Sequence, residues 1–186
     1  MQDYHEFLAE ILIDEAALQK RVRELAEEID RDYRGEDLLL ICILRGGIVF
    51  MVDLMRHITI PHAMDCMALT SYGVGARSST GNIRMSLDLQ TNIEGKNVLL
   101  VEDIVDSGHT LSHVLQMLQT RNPKSLKVCA LLDKAERREI DVPIHYRGFS
   151  IPNKFVFGYG LDLDEYYRNL TFVAVADADK YHPPSA

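Results

Sequence analysis

Residues 38–44, LLLICIL, form an unbroken apolar run rich in branched side chains. A strand wetted on one face alternates polar and apolar residues, so such a run predicts a strand covered on both faces. Further strands are predicted at 64–70, 98–101 and 125–132, with shorter ones at 155–158 and 171–176. Helical periodicity fills the gaps. Leu18, Val22, Leu25, Ala26 and Ile29 mark a helix over 14–34, with Asp14 as a candidate cap and Tyr33-Arg34-Gly35 as its stop. A second helix is predicted over 48–57. A third carries Leu111, Val114, Leu115 and Leu118 and is closed by Pro123. Strand, helix, strand in alternation predicts an α/β fold, an open, mainly parallel twisted sheet flanked by helices.

The chain has 186 residues, the size of one domain where domains run to about 100–200 residues. A 47% hydrophobic content with 26% charged residues excludes a disordered chain. No apolar run approaches the roughly 20 residues needed to span a bilayer. The N-terminus, MQDYHEFLAE, lacks the basic start and apolar stretch of a secretory signal. A net charge of −8 argues against broad attraction to nucleic acid or anionic membrane. Any anionic ligand must therefore be held by a local site. Cys42, Cys66 and Cys129 lie in separate apolar stretches without a CxxC pair, which points to buried thiols in a reducing, cytoplasmic setting. The Asn169-Leu170-Thr171 sequon is read as chance.

In open parallel sheets, ligands bind beyond the carboxyl ends of the strands. The segments there are Arg45-Gly46-Gly47, Ser71-Tyr72, Glu102 to Thr110, Asp133-Lys134 and Gly158 to Asp162, all expected to face one cleft. The richest is VLLVEDIVDSGHTL at 98–111. Three carboxylates, Glu102, Asp103 and Asp106, follow a predicted strand, and Ser107-Gly108-His109-Thr110 enters a helix. Small residues at a helix N-terminus point backbone N–H groups outward, where the helix dipole favours an anion such as phosphate. Acids beside an anion site are contradictory unless they face donors. A ribose resolves this, with hydroxyls on Glu102 and Asp103 and its 5′-phosphate on residues 107–110. A divalent cation shared between carboxylates and phosphates fits the same set. Taken singly, each acid is an ordinary cap or solvated residue; their clustering at a strand exit is the signal.

Other motifs are missing. No GxxxxGK[ST], GxGxxG after a strand, HExxH or GxSxG occurs, and Asp162-Leu163-Asp164 opens like a calcium loop without its glycine. Residues 71–83 are long and rich in small residues for a plain connection, as lids and binding loops are.

The 98–111 segment resembles the phosphoribosyl diphosphate (PRPP) motif of type I phosphoribosyltransferases. LRGG at 44–47, SYG at 71–73, STGNIR at 79–84, LLDKAERR at 131–138 and KFVFGYGLDLDEYYRNL at 154–170 are similar, in order and spacing, to the hypoxanthine–guanine branch. The resemblance covers about residues 10–176. It implies the type I fold: one domain over 1–186, a small hood built from the N-terminal segment and about 150–170, a flexible lid at about 71–84, and a tail frayed from Lys180.

The resemblance also implies a reaction and roles. Ribose 5-phosphate would pass from PRPP to hypoxanthine or guanine, giving IMP or GMP and pyrophosphate through an oxocarbenium-like transition state, with Mg²⁺ as cofactor. Glu102 and Asp103 would hold the ribose hydroxyls directly or through Mg²⁺, and Asp162 a second Mg²⁺ beside the base. Asp106 would be the general base at purine N7. Ser107, Gly108, His109 and Thr110 would bind the 5′-phosphate, mainly through backbone. Leu44, Arg45, Gly46, Gly47 and Arg168 would hold pyrophosphate, with a Leu44–Arg45 peptide that is often cis in the family and Arg168 on a helix. Lys134 would donate to O6, Phe155 would stack on the purine, and the Val156 backbone would read its edge. Ser71 and Tyr72 would close over the reaction centre. The family forms homodimers and homotetramers; no nucleic acid or membrane partner is implied. Two alternatives stay open. One is a PRPP-sensing regulator of the same fold that binds nucleic acid. The other is a sibling enzyme preferring xanthine or a pyrimidine.

Overall fold

The computed structural model describes residues 2–71 and 83–183. In chain order it holds β1 (Leu8–Ile13), α1 (Glu15–Asp32), β2 (Leu38–Leu44), α2 (Ile48–His57), β3 (His62–Ser71), β4 (Ile83–Leu87), β5 (Asn97–Val105), α3 (His109–Gln119), β6 (Ser125–Asp133), β7 (Tyr146–Ser150), β8 (Val156–Phe157) and β9 (Val173–Ala176). The large sheet runs β4-β3-β2-β5-β6-β7, parallel except where β4 pairs antiparallel with β3. A second, antiparallel sheet of β1, β9 and β8 stands beside it.

The unbroken apolar run of β2 has the physical reason expected of it. Leu38, Leu40 and Cys42 point into one core with the buried face of α1 and with Phe50, Met51 and Leu54 of α2. Leu39, Ile41 and Ile43 point into the other, with Leu111, Val114 and Leu118 of α3. Fully burying each such side chain contributes about 1.5–3 kcal/mol, so both faces favour this one register. Asp14 caps α1, its carboxylate accepting the Ala17 N–H at 2.8 Å.

The strand order fixes where a ligand can enter. From β2 the chain moves to β3 on one side, then returns so that β5 and β6 lie on the other. The carboxyl ends of β2 and β5 therefore flank a topological switch point, where the chains leave in opposite directions and open a crevice.

Three expectations change. Glu102 and Asp103 belong to β5 itself, which runs on to Val105 rather than stopping at Val101. Arg168 is not on a helix: Asp164, Glu165 and Tyr167 have φ of 50°, 73° and 66°, in the left-handed region that a right-handed helix excludes. In the tail expected to fray from Lys180, Tyr181 and His182 make specific contacts. Tyr181 packs edge-on against Phe7 at 4.9 Å, and the His182 N–H donates to Gln2 Oε1 at 3.0 Å. Ser71 ends β3, its backbone in register with Ile83 of β4, while Tyr72 and the rest of the expected lid to Asn82 lie outside the described residues.

Candidate functional site

The crevice is built on the exit of β5. Glu102 is buried, and its Oε2 has no hydrogen-bond partner. Burial, with the neighbouring Asp103 charge, pushes its carboxyl well above the usual range. Asp103 is pushed up to about 6, chiefly by burial, although the Ile104 N–H donates to its Oδ1 at 2.8 Å. Among the described residues, Glu102 Oε2 thus has no donor, whereas Asp103 keeps one backbone N–H and feels the Arg168 charge.

Gly46, just past β2, lies against Asp103. A Cβ at residue 46 would overlap Asp103 Oδ2, so only glycine lets the two strand ends close up. The Leu44–Arg45 peptide is cis, as the resemblance implied.

Downstream of β5, Gly108 caps α3 with φ +91°, and a Cβ there would strike the Ile140 carbonyl. No side chain caps this helix. The first intrahelical bond is Ser112 N–H to Gly108 O, so the amides of residues 108–111 precede the ladder. N–H groups placed this way could donate to an anion. Glu139 and Ile140 N–H both donate to Ser107 O, at 2.9 and 3.0 Å, and brace the turn from behind. His109 is turned aside, its Nε2 2.8 Å from Glu139 Oε2.

Asp106 stands between that turn and Lys134. Lys134 Nζ lies 3.8 Å from its Oδ2 and Arg137 Nε 3.4 Å from its Oδ1, the latter without hydrogen-bond geometry. Lys134 is buried at the end of β6, and burial lowers its ammonium's pKa despite Asp106. Arg137 had no assigned role in the sequence. A 3₁₀ turn over Ala135–Arg137 brings it back beside Lys134, and the three-residue spacing was its one signal.

Asp103, Asp106, Lys134, Phe155, Val156 and Asp162 line one cavity of about 860 Å³, a size suited to a small-molecule ligand. Phe155 is 61% exposed, an unusual state for a large aromatic and one that leaves a ring face free for stacking. Asp162 Oδ1 pairs with Arg168 Nη2 at 3.0 Å. Glu165, also unassigned from sequence, bridges Arg168 at 3.1 Å and Arg45 at 2.8 Å. Arg168 Nη1 donates to Gly160 O at 2.8 Å, and a Cβ at Gly160 would strike the Gly46 carbonyl. Thus Arg45 and Gly46, Asp103, and the 160–168 turns meet at one end, and Lys134 and Phe155 lie at the other. Four of the five predicted segments converge. Tyr72 of the fifth is outside the described residues.

Among the described residues, no three His, Cys, Asp or Glu side chains form a ready metal cage. The orphaned Glu102 Oε2 and the raised Asp103 carboxyl fit instead a hydrated Mg²⁺ shared with substrate oxygens, the usual mode for that ion.

A family model for the phosphoribosyl transferase domain matches residues 9–164. The chain belongs to the phosphoribosyltransferase family. It is 48% identical over 166 residues to the hypoxanthine phosphoribosyltransferase of Salmonella typhimurium, covering 88% of this chain and 93% of that protein. To the hypoxanthine-guanine phosphoribosyltransferase of Mycobacterium avium it is 47% identical over 177 residues, covering 92% and 87%. The solved hypoxanthine phosphoribosyltransferase of Staphylococcus aureus superposes with a TM-score of 0.91 at 39% identity, covering 96% of each chain. A Trypanosoma cruzi mutant enzyme in a ternary complex with substrates gives 0.88 at 41%, covering 95% of this chain and all of that one. The fold is therefore the type I phosphoribosyltransferase fold, and the chain is a transferase of the hypoxanthine(-guanine) branch. The regulator and pyrimidine alternatives find no support among these relatives. No helix among the described residues is long and apolar enough to cross a membrane.

Proposed function

We propose that this phosphoribosyltransferase moves ribose 5-phosphate from PRPP to hypoxanthine, and to guanine, releasing pyrophosphate. The observation that carries the reading is the β5 exit, where a buried Glu102 with an orphaned oxygen and a half-buried Asp103 with a raised carboxyl adjoin a helix N-terminus that no side chain caps. A ribose 5-phosphate meets both needs, its hydroxyls donating to Glu102 and Asp103 and its phosphate accepting from the 108–111 amides.

The residues then divide the work. As the anomeric bond breaks, positive charge grows on the ribose beside the carboxylates, which stabilise it by placement. Asp106 takes the N7 proton as the base becomes a nucleophile. Lys134 donates to O6, and its partial desolvation makes that bond stronger than in water. Phe155 stacks on the ring and the Val156 backbone reads its edge. Arg45, Gly46 and Arg168 receive the pyrophosphate, with Leu44 and Gly47 shaping that loop. One Mg²⁺ held by Glu102 and Asp103, and a second beside Asp162, would supply charge that offsets the leaving group. Ser107, Gly108 and Thr110 hold the 5′-phosphate, with His109 contributing its backbone. Ser71 and Tyr72 complete the site as its lid. We also read the enzyme as a cytoplasmic homodimer or homotetramer; buried thiols at Cys42 and Cys129 support the compartment, and light scattering in solution tests the assembly.

Turnover of PRPP with hypoxanthine or guanine, followed by absorbance with and without Mg²⁺, tests the assignment. IMP and GMP formation that stops on chelation is the expected result. No product with either base overturns it.

A further inference from the structure

The cleft extends past the groups assigned above. Beyond Phe155 and Val156 its wall is made by Asp164, Ala176, Ala178, Tyr181 and Pro183. This wall is not loose chain. Tyr181 packs edge-on against Phe7, and its hydroxyl donates to Asp164 Oδ2 at 2.9 Å. Gln2 Nε2 donates to Lys180 O at 3.1 Å, tying both ends of the chain together behind it. Asp164 sits at φ 50°, a conformation that Asp and Asn tolerate better than other side chains.

The two acids on this side differ in their partners. Asp162 is paired with Arg168 at 3.0 Å. Asp164 has no cation within ion-pair distance among the described residues, and the Tyr181 hydroxyl fixes its orientation without cancelling its charge. A purine placed with N7 at Asp106 and O6 at Lys134 presents the opposite edge, bearing C2, away from β5 and β6. In the same cavity, the lining left for that edge includes residues 161–164 and the tail.

We propose that the Asp164–Tyr181 pair determines which substituent the enzyme accepts at purine C2. This rests on the purine reading given above. The carboxylate accepts a hydrogen bond from a 2-amino group, as in guanine, and that bond is charge-assisted. A 2-oxo group, as in xanthine, sets its lone pairs against the same negative oxygens and is rejected. Hypoxanthine carries only hydrogen at C2 and is indifferent to the pair.

Steady-state kcat/KM for guanine, xanthine and hypoxanthine in the full chain, Asp164→Asn and Tyr181→Phe tests this. Asn keeps the left-handed backbone, so the first variant folds. Because Asp164 is exposed, its removal lowers the guanine-to-xanthine ratio by about tenfold rather than more. Tyr181→Phe moves the ratio the same way by about threefold, since the carboxylate remains but is no longer oriented. Hypoxanthine changes by less than about twofold in both variants. An unchanged ratio in active variants, or a loss with hypoxanthine equal to that with guanine, overturns the proposal and leaves the purine reading intact. Failure of the unmodified chain to use any of the three bases overturns the purine reading itself.

Discussion

Two sets of charged side chains face the same cleft in opposite states. At the β5 exit, Glu102 and Asp103 lie beside each other with burial raising both carboxyls, one oxygen orphaned and, among the described residues, no ion pair to either. Across the cleft, Asp162, Glu165, Arg168 and Arg45 form a chain of ion pairs of 2.8–3.1 Å. The second set needs nothing further, whereas the first is incomplete until hydroxyls or a cation arrive. Unmet electrostatic demand is why the β5 exit is proposed as the ribose seat, and the satisfied pairs are ones that a pyrophosphate bound there would have to loosen.

The contrast is tested most severely between the sets, at Asp106, whose two cations stand at 3.4 and 3.8 Å. Asp106→Asn keeps the shape but cannot take a proton, and kcat falls by about 10²–10⁴-fold while PRPP binding by calorimetry is retained. Near-normal kcat would remove Asp106 from the chemistry. Lys134→Ala raises KM for the base by about 10–100-fold, the worth of one charged hydrogen bond, with KM for PRPP nearly unchanged. Equal losses for both substrates would make Lys134 a scaffold.

A smaller effect sharpens the incomplete side. Asp103 is held at about 6, above its usual 3.8, so the folded state binds more protons than the unfolded one between those values. Stability therefore falls as pH rises through that window and stays reduced above it. Asp103→Asn without ligand should raise Tm at pH 7 by the equivalent of at most about 2–3 kcal/mol, with little change at pH 3. A Tm gain independent of pH would show that the carboxyl is not desolvated. Smallest of all, Glu165→Gln in the satisfied set should change stability by under about 1 kcal/mol in urea, because its pairs are exposed.

Much of this was legible in the sequence because the central strands are buried on both faces. LLLICIL gave β2 to the residue, and the run at 98–101 located β5. The carboxylates after that run are the sequence signal for the candidate site. The outer strands left no such mark. β1 shows mostly exposed residues and exists by pairing with β9, some 165 residues away, while β7 is the short polar YRGFS. Residues 164–168 have a helical composition, but their left-handed dihedrals answer to tertiary contacts such as Arg168 on Gly160 O. Tyr181 was equally invisible, since its contacts with Phe7 and Asp164 join residues far apart in sequence.

The decisive measurement is calorimetric binding of PRPP with Mg²⁺ at pH 6, without base, in buffers of different ionisation enthalpy. Engaging Asp103 should force it into its charged form, so binding in the unmodified chain releases protons, and Asp103→Asn releases measurably fewer while losing affinity. Identical proton release and affinity in the two proteins would contradict the assignment of the β5 exit as the seat of the sugar phosphate.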